Sequence, residues 1–251
     1  ALKRCSFAYY QGDEPVKINF EKSIKYFKIL HGLDETLGYL GMGLSYLYGQ
    51  GVNIDLERAR DYLEIAQTRG NSKAKNALGD IYRLGKGVEV DYSRARDYYL
   101  EAAKENEVDA LINLGLLHYR KQVSSATDAL ALQFMTRANE SQSAAASYWL
   151  GVFADKAIGQ TRSVDLARKH YERAIELGNI GAKYKLAQLL YDDVRASKMS
   201  KKKADKNFLT IKELLVDYIN NPLNQDVNAL YSMSLLAEIY ENEAFSEYSP
   251  K

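Results

Sequence analysis

Small residues return along this chain at a fixed step of 36 positions. Gly43, Gly79, Gly115 and Gly151 lie on one such ladder, Ala59, Ala95, Ala131 and Ala167 on a second, and Ala66, Ala102, Ala138 and Ala174 on a third. Ladders in phase mark an internal repeat, and a repeat array buries its apolar surface between neighbouring copies. The 251 residues are therefore expected to form one continuous array, whatever the usual relation between length and domain number.

Each copy reads as two helices. In the third copy, small and apolar residues at 74, 77, 78, 81 and 82, and again at 95, 98, 99, 102 and 103, follow helical spacing. Glycines between the two runs, Gly49 and Gly51 in one copy and Gly85 and Gly87 in the next, end the first helix and turn the chain. Positions 19, 55, 91, 127 and 163 are Asn, Asp, Asp, Thr and Ser, all residues whose side chain can accept a hydrogen bond from the first free amides of a second helix. Glycines of the first ladder, set against the alanines of the second, let paired helices approach, with tyrosines such as Tyr46 and Tyr82 filling wider gaps.

The copies are placed at 1–34 (partial), 35–70, 71–106, 107–142, 143–178 and 179–227, with a terminal half-copy at 228–241. In the first, Tyr10 and Tyr26 stand 36 before Tyr46 and Tyr62, while Phe7 and Ser23 replace the expected small residues; Cys5 reads as a small buried thiol in its first helix. The fourth loses its loop glycines to Lys121 and Val123, so its turn is expected to differ. The sixth opens in register at Ala182, Leu186 and Ala187, then slips by about eleven residues before Ala229 and Ser234. That insertion is placed between two helices, in the polar run 192–207, and the tail 243–251 is expected to be frayed.

Composition excludes several classes. Thirty-four basic and 33 acidic residues nearly cancel, which removes the global field expected of a nucleic-acid binder. One cysteine rules out an internal disulfide framework or a cysteine-rich metal site, and no apolar run approaches the about 18 residues a membrane span needs. The missing initial Met suggests a processed or excised form. Tyrosine dominates the aromatics, 20 against 7 Phe and 1 Trp, which suits surfaces that are apolar on one side and hydrogen-bonding on the other.

Catalytic signals are outweighed by structural ones. The Gly85–Lys86 pair lacks the spacing and the hydroxyl residue of a phosphate loop. His31, His118 and His170 have no second ligand three or four residues away, so packing is the better account, and neither a metal nor a cofactor is expected. Asn139, Glu140 and Ser141 form a glycosylation triplet of the kind chance supplies. Lys198, Lys201, Lys202, Lys203 and Lys206 read as a solvated basic loop in the insertion; Lys201, Lys202 and Lys203 are the candidates there for phosphate or anionic contact.

The unit spelled by Ala74, Leu78, Gly79, Tyr82, Gly85, Gly87, Val88, Asp91, Ala95, Tyr98, Ala102 and Ala103 resembles the Sel1-like repeat, a relative of the tetratricopeptide repeat. Copies two to five carry it clearly and the others loosely. The resemblance implies an all-α, right-handed α-solenoid of antiparallel helix pairs that serves as a scaffold or adaptor, without catalysis, for a protein or peptide partner. It also implies envelope or secretory settings, with peripheral association at most. In tetratricopeptide-like arrays one side of the first helices lines a concave groove. Here that side offers Leu44, Leu47, Asn76, Asp80, Arg83, Tyr119, Tyr148, Asp155, Tyr184 and Tyr191 as partner-binding residues. Two other functions are consistent with such a scaffold. One is an assembly or activator subunit for polysaccharide synthesis or export; the other, a β-lactam-binding or hydrolytic enzyme, would need a convergent cluster of ionisable groups.

Overall fold

A computed structural model describes residues 1–12, 16–196, 200–222 and 227–248, the stretch 242–248 by its backbone alone. Thirteen helices and no strand occur among the described residues. By its internal contacts the chain falls into two compact units, Ala1–Thr127 and Asp128–Lys251.

The first unit holds α1 (Leu2–Gln11), α2 (Phe20–Gly32), α3 (Thr36–Tyr48), α4 (Leu56–Thr68), α5 (Ser72–Leu84), α6 (Tyr92–Ala103) and α7 (Val108–Tyr119). Each helix packs on the next, so odd and even helices form the antiparallel pairs of an α-solenoid. Leu40, Leu47, Leu63, Ala66, Ala74, Leu78 and Ile81 make one continuous core from α3 to α5, and Ile24, Phe27, Leu30 and Met42 make another beneath α1 and α2.

Two devices set the pairing. A Cβ built on Gly79 would lie 2.4 Å from Cε1 of Tyr99, and one on Gly43 would lie 2.7 Å from Cγ of Leu63. The ladder glycine thus receives the large residue between the two alanines of the facing helix, rather than the alanines themselves. The second helix of each pair is then started by a side-chain cap. Asn19, Asp55 and Asp91 accept hydrogen bonds from the amides of Lys22, Arg58 and Arg94 at 2.9, 3.0 and 2.9 Å. The amides of Asp55 and Asp91 bond back to the carbonyls of Tyr46 and Tyr82, which closes the loop.

The fourth copy departs from this at one position and keeps to it at another. Lys121 and Ala157 adopt φ of 55° and 58° where Gly49 and Gly85 stand at 69° and 65°, so the left-handed turn survives without glycine. Val123 is buried and absent from that region, and the Thr127 amide points to Nδ1 of His118 (3.4 Å) instead of to a carbonyl. The first copy is displaced by one residue. Tyr9, not Tyr10, stacks on Tyr26 at 5.8 Å, as Tyr46 does on Tyr62 and Tyr82 on Tyr98, and the Asn19 amide bonds to the Tyr9 carbonyl. Tyr10 turns inward against Phe27, and Cys5 is half-buried rather than buried.

The second unit holds α8 (Asp128–Asn139), α9 (Ala144–Asp155), α10 (Val164–Glu176), α11 (Gly181–Ala196), α12 (Lys201–Ile219) and α13 (Val227–Tyr248). Gly151 meets Tyr171 as Gly79 meets Tyr99, with 2.6 Å between the built Cβ and the ring. The insertion of the sixth copy is absorbed largely as helix. α11 and α12 run 16 and 19 residues where α2 to α10 run 12 or 13, and Lys201, Lys202 and Lys203 form the exposed first turn of α12, not a loop. Lys198 lies outside the described residues. The expected frayed tail is helical as far as Tyr248.

Candidate functional site

The variable side of the first helices divides into packed residues and presented ones. Leu47 is 2% exposed and belongs to the core, and Tyr191 is 7% exposed, its hydroxyl donating to Oε1 of Glu238 on α13 at 2.5 Å. Both are held inside the fold, because a first helix buries residues toward the first helix of the following copy as well as toward its own partner. Leu44, Asn76, Asp80, Arg83, Tyr119, Tyr148, Asp155 and Tyr184 are half-buried.

In the first unit Asp80 and Arg83, one turn apart on α5, form a pair at 2.9 Å with side chains 17% and 22% exposed. Tyr99 on α6 fixes them from below: its hydroxyl donates to Oδ1 of Asp80 at 2.8 Å and accepts from Nε of Arg83 at 3.0 Å. Burial, reinforced by the Asp80 charge, pushes the Tyr99 phenol far up, so it stays protonated and keeps donating. The three hydrogen bonds converge on Oδ1, and among the described residues Oδ2 of Asp80 and Nη1 of Arg83 carry none. Beside this pair Nδ2 of Asn113 donates to Oδ1 of Asn76 at 3.0 Å, linking α7 to α5. Tyr48, the last residue of α3, and Lys86, in the turn after α5, lie beside the pair. Lys86 sits 4.5 Å from the ring of Tyr48, and burial with the Asp80 charge raises the Tyr48 phenol.

In the second unit Asp155 is paired with Arg162, which donates to its Oδ1 at 2.9 Å and to its carbonyl at 2.9 Å. Tyr148 meets Trp149 edge-on at 5.5 Å, and Tyr184 lies against Tyr218 at 5.9 Å with Lys185 over its ring. Burial and the nearby Lys156 lower the Lys185 ammonium, opposed by Asp155. The polar character of both surfaces was legible in the residue types. Their hydrogen bonds were not, because Tyr99 and Arg162 lie outside the helical face that the spacing singled out.

No group of three or more His, Cys, Asp or Glu that could hold a metal occurs among the described residues, and no helix of them is long and apolar enough to cross a membrane. Recurrent arrangements instead line the loop side of the first unit. Arg58 covers the stacked Tyr46 at 5.7 Å, Arg94 covers Tyr82 at 5.4 Å, and Lys22 covers Tyr9 at 5.1 Å, an aromatic pair with a cation in each of three copies. Beside one of these, Tyr82, Arg94, Tyr98, Leu100 and Gln67 border an open pocket of about 470 Å³.

Comparison with known proteins agrees with this architecture. A sequence model described as the Sel1 repeat matches residues 1–29, 37–71, 72–107 and 144–179. It takes in the irregular first copy and passes over the fourth, where Lys121 and Val123 replace the loop glycines. No curated protein matches. Among solved structures, a Sel1 repeat protein from Oxalobacter formigenes is similar with a TM-score of 0.69 and 21% identity, over 84% of this chain and 86% of that one. A protective antigen of uropathogenic Escherichia coli with an SLR fold gives 0.66 and 20%, over 94% of this chain; the chain spans about half the length of that protein, 53%. An immunity protein from Pseudomonas aeruginosa gives 0.54 and 16%, over 88% of this chain and 87% of that one. With four matched stretches covering more than half of its residues and falling on the helix pairs described, the chain belongs to the Sel1 repeat family.

Proposed function

We propose that this protein is a non-catalytic interaction scaffold that holds a protein or peptide partner on the variable side of its first helices, centred in the first unit on Asp80 and Arg83. The observation that carries this reading is the fixing of Asp80 and Arg83 by the buried Tyr99 hydroxyl. An arginine immobilised in advance loses little side-chain entropy on binding, and its remaining donor and the carboxylate's second oxygen carry no hydrogen bond among the described residues, so the pair can read a polar group and its register. Leu44 and Tyr48, four residues apart on one face of α3, add apolar contact. Tyr148 and Tyr184, with Asp155, give the second unit a surface of the same composition.

Photocrosslinking tests this reading. A photoreactive residue at position 44 or 76 should capture a discrete partner that the same residue at Glu57, on the exposed side of α4, does not. The double substitution Asp80→Ala and Arg83→Ala should abolish capture while the helical content is kept. Equal capture from position 57, or capture indifferent to the double substitution, would sink it.

A further inference from the structure

The aromatic cluster of the second copy is complete, and its counterpart in the third is half empty. In the second, His31 meets the Tyr62 ring edge-on at 5.4 Å and the Tyr39 ring at 4.8 Å, while Tyr46 stacks on the same Tyr62 at 5.9 Å. Asp34 closes the group, accepting from the Tyr39 hydroxyl at 2.8 Å and from Arg69 at 2.7 Å, with Arg69 lying 4.5 Å over the Tyr39 ring. Rings from α2, α3 and α4 thus pack on one another.

One repeat later the stacked tyrosines are kept and the rings that cover them are gone. Tyr82 and Tyr98 stack at 5.6 Å with 12° between their planes, close to the 6° of Tyr46 and Tyr62. Gln67 stands in the place of His31 and Lys75 in that of Tyr39, and Lys75 is engaged with Glu105 at 2.6 Å. The open pocket of about 470 Å³ bordered by Gln67, Tyr98, Arg94 and Leu100 lies at this position. A benzene ring needs about 150 Å³, so the space admits a ring with its substituents.

The rim sets the charge of the occupant. Arg94 is answered by Asp91 at 3.4 Å, Asp97 by Arg96 at 2.8 Å and Glu101 by Lys104, so each of these charges has its counter-charge within the chain. A neutral group therefore suits the pocket, and the Gln67 amide can both donate to it and accept from it.

We propose that this pocket binds a neutral aromatic ring with a hydrogen-bonding edge, of the phenol or imidazole kind, seated against Tyr98 as His31 is seated against Tyr62. The ring belongs to a side chain of a bound peptide or to a free aromatic molecule, and the recognition is the same for both: edge-to-face contact with tyrosine and a hydrogen bond to Gln67. Neither Asp80 nor Arg83 lines the pocket, so the site stands or falls independently of that pair.

The test is titration of the whole chain with p-cresol, followed by heteronuclear NMR with the Gln67 side-chain amide and the Tyr98 backbone amide as local probes. Saturable shifts are expected at millimolar concentration or below. The saturated analogue methylcyclohexanol, alike in size and hydroxyl, should bind about threefold to tenfold more weakly, because it lacks the ring's quadrupole. Gln67→His puts into the third copy the ring that fills the second, and should abolish binding while the thermal midpoint holds or rises. A fall in the midpoint would move the test to Leu100→Glu, on a rim residue 38% exposed, which should weaken binding about tenfold. N-acetyl-tyrosinamide separates the two sources: tighter binding than p-cresol assigns the site to a peptide side chain, weaker binding to a free aromatic molecule. No saturable shift, equal binding of the saturated alcohol, or binding that survives both substitutions would overturn the proposal.

Discussion

The hydroxyl of Tyr99, in a side chain wholly removed from solvent, lies 2.8 Å from Oδ1 of Asp80 and holds a half-exposed ion pair in place. One buried atom on a second helix thereby sets the geometry of two presented residues on a first helix. Tyr99→Phe keeps the ring and deletes that atom. It should cost about 1–2 kcal/mol in urea unfolding, the usual loss for a hydrogen bond to a charged group in a partly solvated place. If the proposed surface is right, it should also weaken partner capture more than Tyr171→Phe, whose ring sits at the same position of another repeat.

The same ring limits what position 79 accepts. A methyl group on Gly79 would meet Tyr99 at 2.4 Å, and the ring cannot retreat without leaving Asp80 and Arg83. Gly79→Ala should destabilise by about 1–3 kcal/mol. Gly43→Ala meets Cγ of the buried Leu63 at 2.7 Å and the Ala59 carbonyl at 3.2 Å but disturbs no hydrogen-bonded ring, so its cost should be smaller in the same assay.

Among the described residues five other than glycine hold a positive φ, Asp34, Asn106 and Gln142 between copies and Lys121 and Ala157 within them. Lys121 and Ala157 hold φ near +55° at turns where other copies use glycine. Ala157→Gly relieves the clash of Cβ with the backbone, partly offset by the greater freedom of glycine in the unfolded chain, and should raise stability by about 0.5–1 kcal/mol. A thermal midpoint that falls would show that the conformation at 157 is not strained.

Acidification should weaken both units, through His118 in the first and His170 in the second. Burial, with Arg96 and Lys121 nearby, lowers the His118 imidazole below its ordinary value, and burial lowers His170. The folded state prefers the neutral ring, so as pH falls through about 6.5 the unfolded chain takes up protons that the folded one does not. Stability should decline from there until the folded imidazoles themselves titrate, and be flat above it with respect to these groups. His118→Gln should reduce the slope between pH 7 and 5 whatever it does to the absolute stability; an unchanged slope would assign the effect elsewhere.

The period of 36, the helix pairs, the caps and the α-solenoid were legible in the sequence because each is local or periodic. Asp55 and Asp91 cap the helices their positions announced, and the small-residue ladders lie where helices meet. What a ladder cannot say is which neighbour a residue faces. Leu47 and Tyr191 shared the spacing of Asp80 and Arg83, yet they pack inward, since a first helix in an array has two buried sides and one open stripe between them. The insertion also escaped the sequence: a lysine-rich run reads as a loop on charge alone, while the flanking apolar residues of α12, Ile211 and Leu215, draw it into helix by packing. Local order followed from spacing and capping chemistry, which depend on residues a few positions apart. The hydroxyl beneath Asp80 depends on a contact between residues 19 positions apart, and only tertiary packing decides that.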